Sequence, residues 1–221
     1  MAGAACTRQP PPPVPLKLPR ANVAVYPARM PSLSPSLATI RDELDAASAQ
    51  LRALAQSAGD DAWRTRPDAG HWCVGECVQH LNMTSHAYLP ILTVALLEAR
   101  TNGATAARDS NRLDFVGWLL WKACGPPKRR LIKMKTADSF VPASIEPKAK
   151  VLAEFEEYQS RLLAQLANAN GLALSKIKVQ SPFKSSVRYN IYSAFRIIAA
   201  HERRHLWQAE QARDAVRAAA R

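Results

Sequence analysis

The stretch NIYSAFRIIAAHERRHLWQAEQA, residues 190–212, decides how this chain reads. Ile191, Phe195, Ile198, His201, His205, Gln208 and Ala212 recur there at steps of three and four, the spacing of one helix face. Both histidines therefore continue a core stripe instead of pointing to water. An imidazole left unpaired in an apolar core costs about 1–3 kcal/mol, so each needs a partner. At i, i+4 the two Cβ atoms lie about 5–6 Å apart. That spacing lets both rings share one ion at about 2.0–2.1 Å. The plainer alternative is that each ring hydrogen-bonds a carbonyl or carboxylate.

Upstream, three more stretches carry the helical period. Ser34-Pro35 reads as a cap followed by proline at the first helical position. Leu37, Ile40, Leu44, Leu51 and Leu54 follow it as far as Gly59. After a turn at residues 67–70, a second helix starts near Val74, with Cys77, Leu81, Thr84, Tyr88, Leu92 and Leu96 on its stripe. Gly103 stops it, and Pro90 predicts a kink within it. A third helix runs from about Pro147, with Val151, Phe155, Tyr158, Leu162 and Leu166 on one face, and residues 168–171 end it. Asn190 caps the fourth. Residues 104–146, including the short apolar run 115–121, and residues 172–189 show no sustained period and read as loops. The first is long enough for a crossover. The expected fold class is all-α, a four-helix bundle with a long crossover connection. It occupies residues 34–221, behind a flexible, proline-rich, basic tail at 1–33.

Net charge is +12, from 30 basic and 18 acidic residues. Arg8, Lys17, Arg20 and Arg29 in the tail, and the block Lys128, Arg129, Arg130, Lys133 and Lys135, have no acidic neighbours. Either could attract nucleic acid or anionic lipid. No aromatic residues interleave with them as a base-stacking platform requires, so solvated loops are the expected reading and nucleic acid is a disfavoured partner. Cys6, Cys73, Cys77 and Cys124 do not make a disulfide framework at this length. The N-terminus lacks an uninterrupted apolar region of the secretory kind, and the longest apolar run is too short to span a bilayer. A soluble, cytoplasmic protein without a membrane partner is expected.

His80 stands at the edge of the second helix's stripe, beside Leu81, and adds a third inward imidazole from a facing helix. Three neutral nitrogens with an open position describe a catalytic type of metal site more than a closed structural one. His201-Glu202-Arg203-Arg204-His205 also spells the zinc-peptidase pattern H-E-x-x-H. That reading needs a third ligand downstream, but only 16 residues follow His205 and the nearest carboxylate, Glu210, points off the histidine face. It is rejected, and Glu202 stays a candidate for a general base or supporting group. Cys73 and Cys77 could supply a thiolate, although buried helical cysteine is more often inert packing. Glu76, one turn before His80, either favours the helix dipole or orients His80. Arg204 could reach an anionic substrate at the bundle mouth. His71 and His86 fall on loop and outer-face positions.

These residues resemble a known family. Trp72-Cys73-Val74-Gly75-Glu76-Cys77-Val78-Gln79-His80-Leu81 is similar to the W-[ST]-x-x-E-x-x-x-H-L signature of the DinB-like superfamily. His201 through Gln208 is similar to its H-x-x-R-H-x-x-Q element. Lys133-Met134-Lys135 through Phe140-Val141-Pro142 looks like the basic loop of one branch. The resemblance spans roughly residues 35–215. It implies a bundle with a long crossover and a divalent ion (zinc, nickel or manganese) on His80, His201 and His205, with Glu76 and Gln208 in supporting positions. It also implies a small-molecule substrate and a thiol S-transferase or isomerase using a low-molecular-weight thiol; a metal-dependent hydrolase is the other enzymatic expectation. A homodimer is compatible with it. A non-enzymatic, metal-stabilised helical protein is the alternative. Cys73 departs from the family's serine or threonine; cysteine caps poorly, so the start of that helix is expected to fray or to be fixed by another group.

Overall fold

A computed structural model describes residues 32–106, 108–125 and 136–220. The tail and the basic block singled out above lie outside the described residues, apart from positions 32 and 33. Four long helices carry the core: α1 (Pro35–Ser57), α3 (Val74–Thr101), α5 (Lys148–Ala169) and α6 (Ile191–Ala219). Two shorter ones, α2 (Asp60–Arg64) and α4 (Phe115–Cys124), lie between them. α1 and α3 each pack on both α5 and α6, so the long helices share one interior. No described helix is long and apolar enough to cross a membrane.

The expected stripes are the buried ones. Leu37, Ile40, Leu44, Leu51 and Leu54 of α1 and Cys77, Leu81, Thr84, Tyr88, Leu92 and Leu96 of α3 are all buried. On α5 the buried set is Val151, Phe155, Gln159, Leu162, Leu166 and Ala169; Tyr158 sits at its edge. α3 continues through Pro90, whose ring leaves the His86 carbonyl without its usual backbone donor. Asn190 caps α6 by accepting from Ser193 N at 2.7 Å. Ser34 does not cap α1 through its side chain. Its N–H instead donates to Asn170 Oδ1 at 3.1 Å, tying the start of α1 to the end of α5. Gly171, at φ 79°, takes the left-handed conformation that ends α5.

Both segments read as loops contain regular structure. Residues 115–121 belong to α4. Asp114 caps it, accepting from Gly117 N at 2.8 Å. Gly117 faces α6 so closely that a Cβ there would lie 2.1 Å from Ser193 Oγ. Asp114 also accepts from Asn190 N at 2.8 Å and from Lys178 Nζ. That carboxylate therefore joins α4 to a small antiparallel pair, β1 (Lys178–Gln180) and β2 (Arg188–Asn190), in which Lys178 faces Asn190. The long connection from α3 to α5 thus contains a helix fastened on α6.

Candidate metal centre

α3 and α6 bring His80, His201 and His205 together inside the molecule. One ring nitrogen of each lies within 4.8 Å of the others, a group that could hold a metal ion. His80 and His205 are buried, and His201 keeps partial exposure. His80 Nε2 stands 3.2 Å from His201 Nε2. Two imidazole nitrogens on one tetrahedral ion stand about 3.3–3.4 Å apart, given bonds of about 2.0–2.1 Å, so this pair fits a shared ion.

The tautomer of His80 follows from its other nitrogen. Nδ1 lies 2.7 Å from the Phe140 carbonyl, which can only accept, so Nδ1 carries the hydrogen and Nε2 presents its lone pair. Burial lowers the pKa of His80, against the opposing effect of the Phe140 bond. Burial, then the neighbouring His80 and Arg204, holds His201 well below its ordinary value. Burial, then His201, His80 and Arg204, does the same for His205. All three rings are therefore neutral near neutral pH, as metal ligation requires. Nδ1 of His201 and Nδ1 of His205 are buried with no hydrogen-bond partner among the described residues.

Aromatic rings wall the group. Trp72 stacks on His205 at 5.9 Å and tilts against His80 at 5.0 Å. Phe183 lies 6.2 Å from His201 and 4.5 Å from Phe140, which meets His80 in a T-shaped contact at 6.5 Å. Phe140 and Phe183 come from connecting segments without a period, so nothing in their local sequence marks them as walls. Trp72 opens the motif already quoted and was legible there.

The supporting candidates divide. Glu76 does not orient His80; its carboxylate takes both contacts from Arg66 and accepts from Cys73 N at 3.0 Å. Burial opposes its ionisation, but Arg66 and the Cys73 N–H outweigh that and keep its pKa below the ordinary value. This is how the start of α3 is fixed despite the cysteine cap. Glu202 does not face the histidines either. It is buried against α5, accepting from Gln159 Nε2 at 2.7 Å, and burial pushes its pKa up to about 8. Glu210 accepts from Gln50 on α1 at 2.9 Å, which leaves the peptidase pattern without its third ligand. Gln208 is half-buried one turn past His205 and makes no hydrogen bond to a described residue.

Arg204 is close enough to lower both His201 and His205, yet its Nη1 donates to the Ala123 carbonyl at 3.0 Å, at the end of α4. Cys73 and Cys77 are buried thiols outside the ligand group, and burial raises both, Cys73 to about 11. His71 pairs with Asp68 on the surface, and His86 is exposed beside Tyr158.

A helical protein with three converging neutral imidazoles from two facing helices is the class that fold and site define. The sequence matches the DinB superfamily over residues 43–209, and the chain belongs to that superfamily. No curated protein and no solved structure matches the sequence.

Proposed function

We propose that this chain is a metal-dependent enzyme whose ion (zinc, nickel or manganese) is held by His80, His201 and His205 and which transfers a low-molecular-weight thiol to a small electrophile. One observation carries the reading: the ligand group is three neutral nitrogens with no carboxylate among them. Bound there, a divalent ion keeps its full positive charge and lowers the pKa of a thiol or water beside it. The chain's own residues do the rest. Phe140 O fixes the His80 tautomer, so that ring offers its lone pair without rearranging. Trp72, Phe140 and Phe183 pack apolar rings around the histidines, which lowers the local polarity and strengthens charge interactions there. Arg204 adds positive potential that favours the thiolate over the thiol.

In the transfer, R–SH gives its proton to solvent, the sulfur forms a bond to the electrophilic carbon, and the leaving group departs with the electrons of the broken bond. With water in place of the thiol the same centre would hydrolyse. The burial of His80 and His205 favours a second reading, an ion kept for stability alone. The test loads the purified chain with zinc, nickel or manganese and supplies several cellular thiols with a chromogenic electrophile. Turnover that disappears in His201→Ala supports transfer. Turnover without thiol supports hydrolysis. Bound metal with no turnover leaves the stability reading.

A further inference from the structure

Thr84 lies on the same face of α3 as His80, four residues on, and Tyr88 follows four residues later. Each step is one helical turn, about 6 Å along the axis. The threonine side chain is buried at 2 % exposure, and its Oγ1 has no hydrogen-bond partner among the described residues. The other helical threonines behave differently. Thr39, Thr93 and Thr101 each donate to the carbonyl four residues back, at 3.1, 2.8 and 3.0 Å. Thr84 makes no such bond to the His80 carbonyl, so its hydroxyl stays an unpaired buried group at a cost to the fold.

The rings around this level of α3 narrow the possible partners. Phe183 touches Tyr88 at 5.9 Å on one side and His201 at 6.2 Å on the other. That ring therefore bridges the level of α3 at which Thr84 stands. The Tyr88 hydroxyl is already paired with Tyr189 at 2.6 Å and gives Thr84 no partner. Thr84 is thus an unpaired, buried hydroxyl one turn from His80, at the level of α3 that the Phe183 ring spans.

We propose that the Thr84 hydroxyl binds the small anionic ligand of this centre, a thiolate or hydroxide, by donating a hydrogen bond to the atom that occupies the open position beside the three histidines. The proposal rests on the metal reading above and adds to it a group that selects and orients the ligand. A hydrogen-bond donor to an anion favours the ionised ligand over its neutral form.

Cobalt(II) loaded alone onto the metal-free full chain, followed by titration with azide and read by visible absorption, tests this without any turnover. Thr84→Val keeps the volume and removes the hydroxyl; Thr84→Ser restores it. The expected result is equal cobalt content in all three proteins and a metal-free melting temperature for Thr84→Val at or above that of the wild type, because an unpaired group is being removed. The azide Kd should rise about tenfold in Thr84→Val and return towards the wild-type value in Thr84→Ser. Full cobalt binding with the same azide Kd in Thr84→Val overturns the role of Thr84 and leaves the metal reading intact. A fall of more than about 5 °C in metal-free Thr84→Val also overturns it, since the hydroxyl would then hold the fold. A wild-type cobalt protein that does not respond to azide overturns it too. A wild type that binds no cobalt overturns both readings together.

Discussion

Glu202 shows how much a single side chain's surroundings decide. Its place beside His201 in an H-E-x-x-H pattern suggests a base at the centre, but the helix turns it onto Gln159. Glu202 Oε2 and Gln159 Oε1 are both buried without a donor, so the neutral carboxyl is the form this environment favours. Its folded-state pKa, about 8, lies above the ordinary 4.5, so its contribution to stability is complete below 4.5 and is lost as pH rises through 8. In the metal-free protein, Glu202→Gln should remove that slope and stabilise the fold at pH 8 by roughly 1–3 kcal/mol. Urea melts at pH 5 and pH 8 check this; the same pH slope in both proteins would contradict it. The histidines run the other way in charge but with the same kind of accounting. Their folded pKa values lie below the ordinary 6.5, so metal-free stability is complete above 6.5 and falls as pH drops below it. Urea midpoints between pH 7.5 and 5 should decline in the wild type and decline less in a variant with all three histidines changed to Asn. The positions of these histidines were legible from their three-and-four spacing. The direction of Glu202 was not, because its partner replaces Tyr158 on the buried edge of another helix.

α4 is the element that the sequence hides. Residues 115–121 are apolar almost throughout, so no polar alternation marks a helical period. What makes them a helix is a cap from Asp114 and the fit of Gly117 against Ser193. Gly117→Ala would place a methyl 2.1 Å from Ser193 Oγ and lever α4 away from α6. The expected cost is about 1–3 kcal/mol, read as a lower urea midpoint. An unchanged midpoint would show that α4 does not depend on this close approach. The effect should reach the centre as well, because Arg204 is anchored on the Ala123 carbonyl at the end of that helix. The β1–β2 pair escapes a sequence reading for a simpler reason: strands of three residues are too short for alternation to stand out. Phe140 and Phe183 escape as walls because they come from separate connecting segments far from the histidines in sequence, whereas Trp72 stands in the quoted motif. The four long helices were legible because each keeps its stripe over several turns, and folding leaves those stripes no other place to bury their apolar surface.

For the whole molecule, the long helices, their order and the three inward histidines form one consistent picture, in which packing α3 against α6 assembles the ligand group. Since the group exists only in the folded chain, an ion bound to it should stabilise the fold by mass action, by about 3–4 kcal/mol at 100–1,000 times its Kd. Removing it with a chelator should lower the melting temperature by several degrees, and adding zinc, nickel or manganese should restore it. A melting temperature indifferent to chelator would mean that the ion and the fold are uncoupled. Elemental analysis of the chain purified without a histidine tag tests the central claim most directly. One divalent ion per chain is expected in the wild type, and about none in a variant carrying His80→Ala, His201→Ala and His205→Ala that retains its helical circular dichroism. Equal metal content in the two proteins would contradict the claim.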